Sequence, residues 1–141
     1  MRAPLTYEAA RAAADAVLEA GRQEGLQLAV AVVDRGGITR VLLAADGAGP
    51  IGIETARRKA YTSAVTSMPT TKFAQFAASP GMAVAPPHVL DPNLLPAPGG
   101  VPIVVDGVEV IGGLGVGGAD GETDDRLATA AVEGIARLLE R

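Results

Sequence analysis

A chain of 141 residues with 48% hydrophobic but only 3% aromatic side chains must fill one core with Ala, Val, Leu and Ile. Its net charge of −4 argues against a nucleic-acid partner, because phosphate neutralisation requires clustered Lys and Arg. The absence of cysteine excludes disulfides, a thiolate nucleophile and Cys-ligated zinc, and no apolar run is long enough for a membrane span.

The first predicted element is a helix. Thr6 can cap it, Leu5 can staple onto Ala10, and apolar positions recur at Ala10, Ala13, Val17 and Ala20. Arg11 and Asp15 within the alanine-rich stretch suit a helix better than an export signal. Met1 to Thr6 lacks a basic region leading into an apolar one, so no signal peptide is expected. Gly21 and Gly25 mark where the helix can stop.

Leu28 to Val33 is almost wholly apolar, as a strand covered on both faces should be. Asp34-Arg35-Gly36-Gly37 is turn chemistry, and Ile38 to Leu43 is the returning strand of a hairpin. Asp46 to Pro50 breaks the pattern ahead of a second helix, whose buried stripe is Ile53, Ala56, Ala60 and Ala64. Arg57, Arg58 and Lys59 fall largely off that stripe. Pro69 ends this helix, and Thr70 can cap a short third one carrying Phe73, Phe76 and Ala77.

Ser79 to Gly100 holds six prolines and no periodicity, which points to a lid or an interface arm rather than a simple connector. Val101 to Val105, Asp106-Gly107 and Val108 to Ile111 form a hairpin whose Asp-Gly step suits a type I′ turn. A glycine-rich strand follows, from Gly112 to Gly118. Its Gly-x-Gly spacing lacks the following Lys-Ser/Thr and the βαβ unit of a phosphate loop. Glycines in a strand instead admit a helix, a subunit or a flat ligand at close range. The last helix begins near Thr123, with Asp124 and Asp125 in its first turn, and buries Leu127, Ala131, Ile135 and Leu138. Hairpins without parallel crossovers predict an α+β domain, residues 1–141, with helices packed on an antiparallel sheet. A core of such small side chains is thin, so a homo-oligomer is expected, working in a reducing cytoplasm.

Three blocks in register resemble the GlcG/HbpS-type haem-binding family, to which the C-terminal domain of PduO-type proteins is related. They are Ala31-Val32-Val33-Asp34-Arg35-Gly36-Gly37 with Asp46 to Pro50; Glu54 to Ala64 closed by Pro69-Thr70; and Gly99-Gly100-Val101-Pro102-Ile103 running on through Asp106-Gly107 to Gly113–Gly118 and Asp124-Asp125. The resemblance implies a profilin-like α/β/α sandwich with a five-stranded antiparallel sheet, oligomers, and in some members haem or a related tetrapyrrole. The first-helix histidine of several haem-binding relatives has no equivalent here.

Iron takes His, Cys, Met or Tyr as axial ligands. This chain offers His88, Met68, Met82, Tyr7 and Tyr61 besides its initiator methionine. His88, between Pro87 and Val89, is either a solvent-facing loop residue or a ligand or acid–base group on a lid. Thr70, in the family's Pro-Thr step, is either a helix cap or a weak ligand. Lys59 stands where the family motif places a lysine, one turn from Thr62 and Ser63, as an anion contact or the partner of an ion pair. Asp34 is either an Asx-turn residue or that partner. The candidate ligand-binding set is therefore Asp34, Lys59, Thr62, Met68, Thr70 and His88, with no metal site assigned; a carboxylate site from Asp34, Asp124 and Asp125 would need separate elements to converge. The leading function is binding of a small molecule, and the alternative is a cofactor-independent isomerase, cyclase or lyase. A scaffold whose oligomer is its function is the third reading.

Overall fold

In the computed structural model, which describes residues 5–139, four strands form one antiparallel sheet. The expectation about a signal peptide concerns Met1 to Thr6, and residues 1–4 lie outside the described ones. Strands β1 (Ala29–Asp34), β2 (Thr39–Ala44), β3 (Gly100–Val105) and β4 (Glu109–Gly117) are ordered β2-β1-β4-β3. Helices α1 (Tyr7–Gln23) and α5 (Gly121–Gly134) cover one face, and α2 (Pro50–Thr66) covers the other. The short helices are α3 (Thr70–Ala77), α4 (Pro87–Leu90) and α6 (Ala136–Leu139), with a single 3₁₀ turn at Pro80–Met82.

Strand β1 shows why its sequence is apolar throughout. Val30 and Val32 join the larger core under α1 and α5, whereas Ala29, Ala31 and Val33 meet α2. Alternate side chains leave a strand on opposite sides, so each face receives its own set. The set facing α2 is small, and so is the helix surface it meets: Ala56, Ala60 and Ala64. Strand β4 goes further. Its Leu114 and Val116 enter the larger core, while Gly113, Gly115 and Gly117 offer α2 no side chain at all. A Cβ at Gly115 would overlap the Ala56 carbonyl and the Ala60 amide, and one at Gly113 would overlap the Ala60 carbonyl. The helix backbone thus lies directly on the strand backbone. Small groups contribute little transfer free energy each, about 0.8 kcal/mol per methylene, so this layer gains from contact density instead.

Most caps and turns follow the local sequence. Thr6 Oγ1 accepts from the Ala9 N–H at 3.1 Å and caps α1. Asp106 (φ 56°) and Gly107 (φ 72°) are both left-handed, as a type I′ turn requires, and the Val108 N–H closes it on the Val105 carbonyl. Strand pairing resumes at Val105–Glu109, which leaves Val108 out of the ladder. Helix α5 starts two residues earlier than Thr123, because Asp120 supplies the cap to the Thr123 N–H at 2.9 Å. Leu138 is exposed, and Leu139 takes the buried place at the end of α6.

The expected five-stranded sheet has four strands. The segment from Glu109 and the glycine run form one continuous strand. Ile103 pairs with Gly112 and Val104 with Val110, so Ile111 is the extra residue of a bulge. The bulge carries the strand through the change of composition that looked like a boundary.

Gly115→Val is expected to destabilise the fold by about 3 kcal/mol or more, since backbone atoms cannot move aside as a side chain can. A denaturant midpoint within error of the wild type would show that α2 does not rest on this strand.

Candidate functional site

Close approach of α2 to β4 sets where Lys59 goes. Lys59 follows Arg57 and Arg58 but lies on the inner face of the helix, a correction to its expected place off the buried stripe. Its side chain is 6% exposed. Nζ donates to the Val116 carbonyl at 2.9 Å and to Asp124 Oδ2 at 3.1 Å. Asp124, 2% exposed, uses Oδ1 to accept the Ala119 N–H at 3.2 Å. Burial pushes the Asp124 carboxyl above its usual range, and the Lys59 ammonium and the Ala119 N–H offset part of that rise. Asp125 is likewise raised by burial. Gly99 crosses the lysine stem with φ +124°, and a Cβ there would stand 2.8 Å from Nζ. Only glycine combines that backbone angle with that lack of bulk.

The pair opens on a cleft of about 500 Å³ between the starts of α2 and α5 and the segment Leu95–Pro98. No histidine, methionine or tyrosine lines it.

A second locus is the arm between α3 and β3, which is tied to α2 over Asp91, Asn93, Leu94 and Leu95. Thr62 Oγ1 donates to the Arg58 carbonyl at 2.7 Å and accepts the Leu95 N–H at 2.8 Å. Arg58 Nη2 donates to the Leu94 carbonyl at 3.2 Å, and Arg57 Nη2 to Asn93 Oδ1 at 3.1 Å. The Tyr61 hydroxyl donates to Asp91 Oδ2 at 2.7 Å. That bond lowers the Asp91 carboxyl and raises the Tyr61 phenol. Phe73, Ala77 and Leu94 form a small core here, with Tyr61 and Met68 against it. His88 sits in α4, half-buried. Its Nδ1 is buried without a hydrogen-bond partner, which leaves Nε2 as the open nitrogen. The neighbouring Val84, Val89 and Leu90 are strongly exposed, Val84 at 96%.

The six candidate residues therefore do not form one cluster. Lys59 lines the cleft; Thr62, Met68 and Thr70 secure the arm and α3; His88 lies on the arm. Asp34 stands apart. Its Oδ1 accepts the Gly36 and Ile38 N–H groups, an Asx-type turn, and its Oδ2 is 4.0 Å from Arg40. It pairs with Gly112, whereas Lys59 reaches Val116, four residues and roughly 13 Å along the same strand. The expected Asp34–Lys59 pair is thereby replaced by Asp124–Lys59. Thr70 is not a cap either: Pro69 holds that position, and the buried Thr70 Oγ1 accepts the Gly100 N–H at 2.9 Å, joining α3 to β3. Sequence reading treated Asp124 as a dipole-complementing acid or one leg of a metal site. Its burial one turn before Leu127 was the available signal, since i and i+3 share a helix face. Among the described residues no three metal-binding side chains converge.

A family model described as haem-degrading protein HbpS-like matches residues 5–133. The chain belongs to the HbpS-like family. It is similar to Streptomyces reticuli HbpS, solved as a double Glu-to-Asp variant, with 38% identity and a TM-score of 0.83. That alignment covers 95% of this chain and 88% of the other. Klebsiella pneumoniae protein ORFY shares 26% identity at a TM-score of 0.85, covering 93% and 90% of the two chains. A PduOC–haem complex shares 26% identity at a TM-score of 0.82, covering 92% and 94%. No curated protein matches the sequence.

Two measurements check this site. Lys59→Met should cost about 3–5 kcal/mol by leaving the Asp124 charge buried alone, and Lys59→Met/Asp124→Leu should recover most of it. Equal loss in both variants would mean that the pair is not coupled. In Tyr7→Phe protein, the remaining Tyr61 phenol should ionise above the usual phenol range by ultraviolet absorbance, and Asp91→Asn should bring it down. The sign for stability follows. The Tyr61 contribution is present below the ordinary phenol value and is lost as pH rises through the raised one. That of Asp91 is lost as pH falls through its lowered one.

Proposed function

We propose that this chain is a haem-binding protein in which His88 supplies the iron ligand. The observation that carries the reading is the open Nε2 of the chain's single histidine, set among exposed apolar residues, in a member of the HbpS-like family. The PduOC–haem complex, alike over nearly the whole chain, supports it.

Three of the other iron-ligand candidates are less available. The Tyr61 hydroxyl is committed to Asp91, the Tyr7 hydroxyl accepts from Arg11, and Met68 packs beside Phe73. The residues of the arm fit the group: an imidazole nitrogen for iron, and Val84, Val89 and Leu90 for the apolar porphyrin faces. Lys72 on α3 is exposed and in no ion pair among the described residues; it would serve a propionate, with the exposed Phe76 one turn further on. Bound haem would supply a redox-active iron. The chain's part is to hold it: Tyr61, Thr62 and Arg58 fix the arm on α2, and Thr70 fixes α3 on β3.

The same reading takes the chain as one domain that works as a homo-oligomer in the cytoplasm. Exposed Ile38 and Leu42 on or beside the edge strand β2 support association. Among the described residues, no helix is long and apolar enough to cross a membrane.

Haem added to the purified protein should give a saturable Soret shift. His88→Ala should weaken it by roughly tenfold or more, while Thr70→Val should change stability and not the spectrum. An unchanged titration in His88→Ala would remove His88 from the site, and no saturable shift in wild type would remove haem from this chain.

A further inference from the structure

The haem reading leaves the Lys59–Asp124 cleft without a task. We propose that this cleft is a second binding site, for a small neutral carbonyl compound with an apolar body. A buried ion pair is a weak stabiliser, because desolvating both charges offsets most of their attraction. This one is also placed at the floor of an open cleft of about 500 Å³, a volume suited to a small ligand.

The chemistry of the lining selects the class. An ammonium has three N–H donors, and Lys59 commits two of them, to Val116 and Asp124. The third is free for a carbonyl oxygen. The charge of Lys59 is already balanced by Asp124. A carboxylate would have to compete with Asp124 for Lys59, whereas a ketone or amide oxygen accepts the bond without bringing charge. Ile51, Leu95 and Pro98 line the same cleft and give an apolar body its contacts. Gly118, also in the lining, leaves the backbone bare beside them. The cleft takes Leu95, Ala97 and Pro98 from the end of the arm but not His88, so the two readings stand or fall separately.

The test titrates the isotope-labelled full chain with cyclohexanone and, separately, with cyclohexanecarboxylate, following backbone amide shifts. Cyclohexanone should shift the Gly118, Ala119 and Gly121 amides saturably, and the carboxylate should bind more weakly. Lys59→Met/Asp124→Leu, which replaces the pair by apolar groups, should weaken ketone binding roughly tenfold. Should that variant lose its amide dispersion, Ala97→Trp decides instead, since it fills the mouth of the cleft and leaves the pair untouched; it should abolish the ketone shifts. No saturable shift at those amides, tighter binding of the carboxylate, or ketone binding retained in the deciding variant would each overturn the proposal.

Discussion

Contact between the backbone of α2 and the backbone of β4 governs this structure. Gly113, Gly115 and Gly117 remove the side chains that ordinarily hold a helix away from a sheet. Ala56, Ala60 and Ala64 remove them from the helix side. Everything on α2 is then positioned relative to the sheet by backbone atoms, which vary far less than rotamers do. Lys59 reaches the Val116 carbonyl and Asp124 because its helix lies this close. Thr62 and Tyr61, further along the same helix, hold the arm in turn.

This arrangement separates two kinds of surface. On the inner side of α2 a lysine and an aspartate are almost fully withdrawn from water, and their chemistry is tuned by burial. The outer side is a proline-rich arm held by hydrogen bonds from one helix, with Val84, Val89 and Leu90 facing solvent. A rigid cleft and an exposed arm suit different ligands. The cleft can select by the polarity of a few atoms, whereas the arm offers area and one imidazole. The haem assignment rests on the arm for that reason, since no histidine, methionine or tyrosine lines the cleft.

Membership of the HbpS-like family fixes the architecture and leaves the site to this chain's own residues. The absence of a histidine from α1 matters here. Its inner face is occupied by Ala9, Ala10, Ala13, Ala14 and Val17, all in the core, so that face has no ligand to offer. His88 sits instead on the one-turn helix α4, among exposed neighbours, and its two ring nitrogens meet different environments.

The order of helices and strands, the antiparallel sheet, the Asp106-Gly107 turn and the double coverage of β1 were legible in the sequence because each follows from local chemistry or from the period of apolar residues. The alanine stripe of α2 was legible for the same reason. The strand count was not, because a bulge at Ile111 joins two segments whose compositions differ, and composition does not report hydrogen-bond continuity. The ion pair was not legible either. Periodicity places Lys59 beside two solvated arginines, and only the approach of α5 across the end of β4 supplies Asp124 as its partner, 65 residues away. Asp34 illustrates the opposite case. Its Asx turn is written in the residues that follow it, whereas its distance from Lys59 depends on strand register. Sequence alone determined what each segment could become; tertiary packing decided which charges met, because contacts between distant segments depend on the depth and register at which backbones dock.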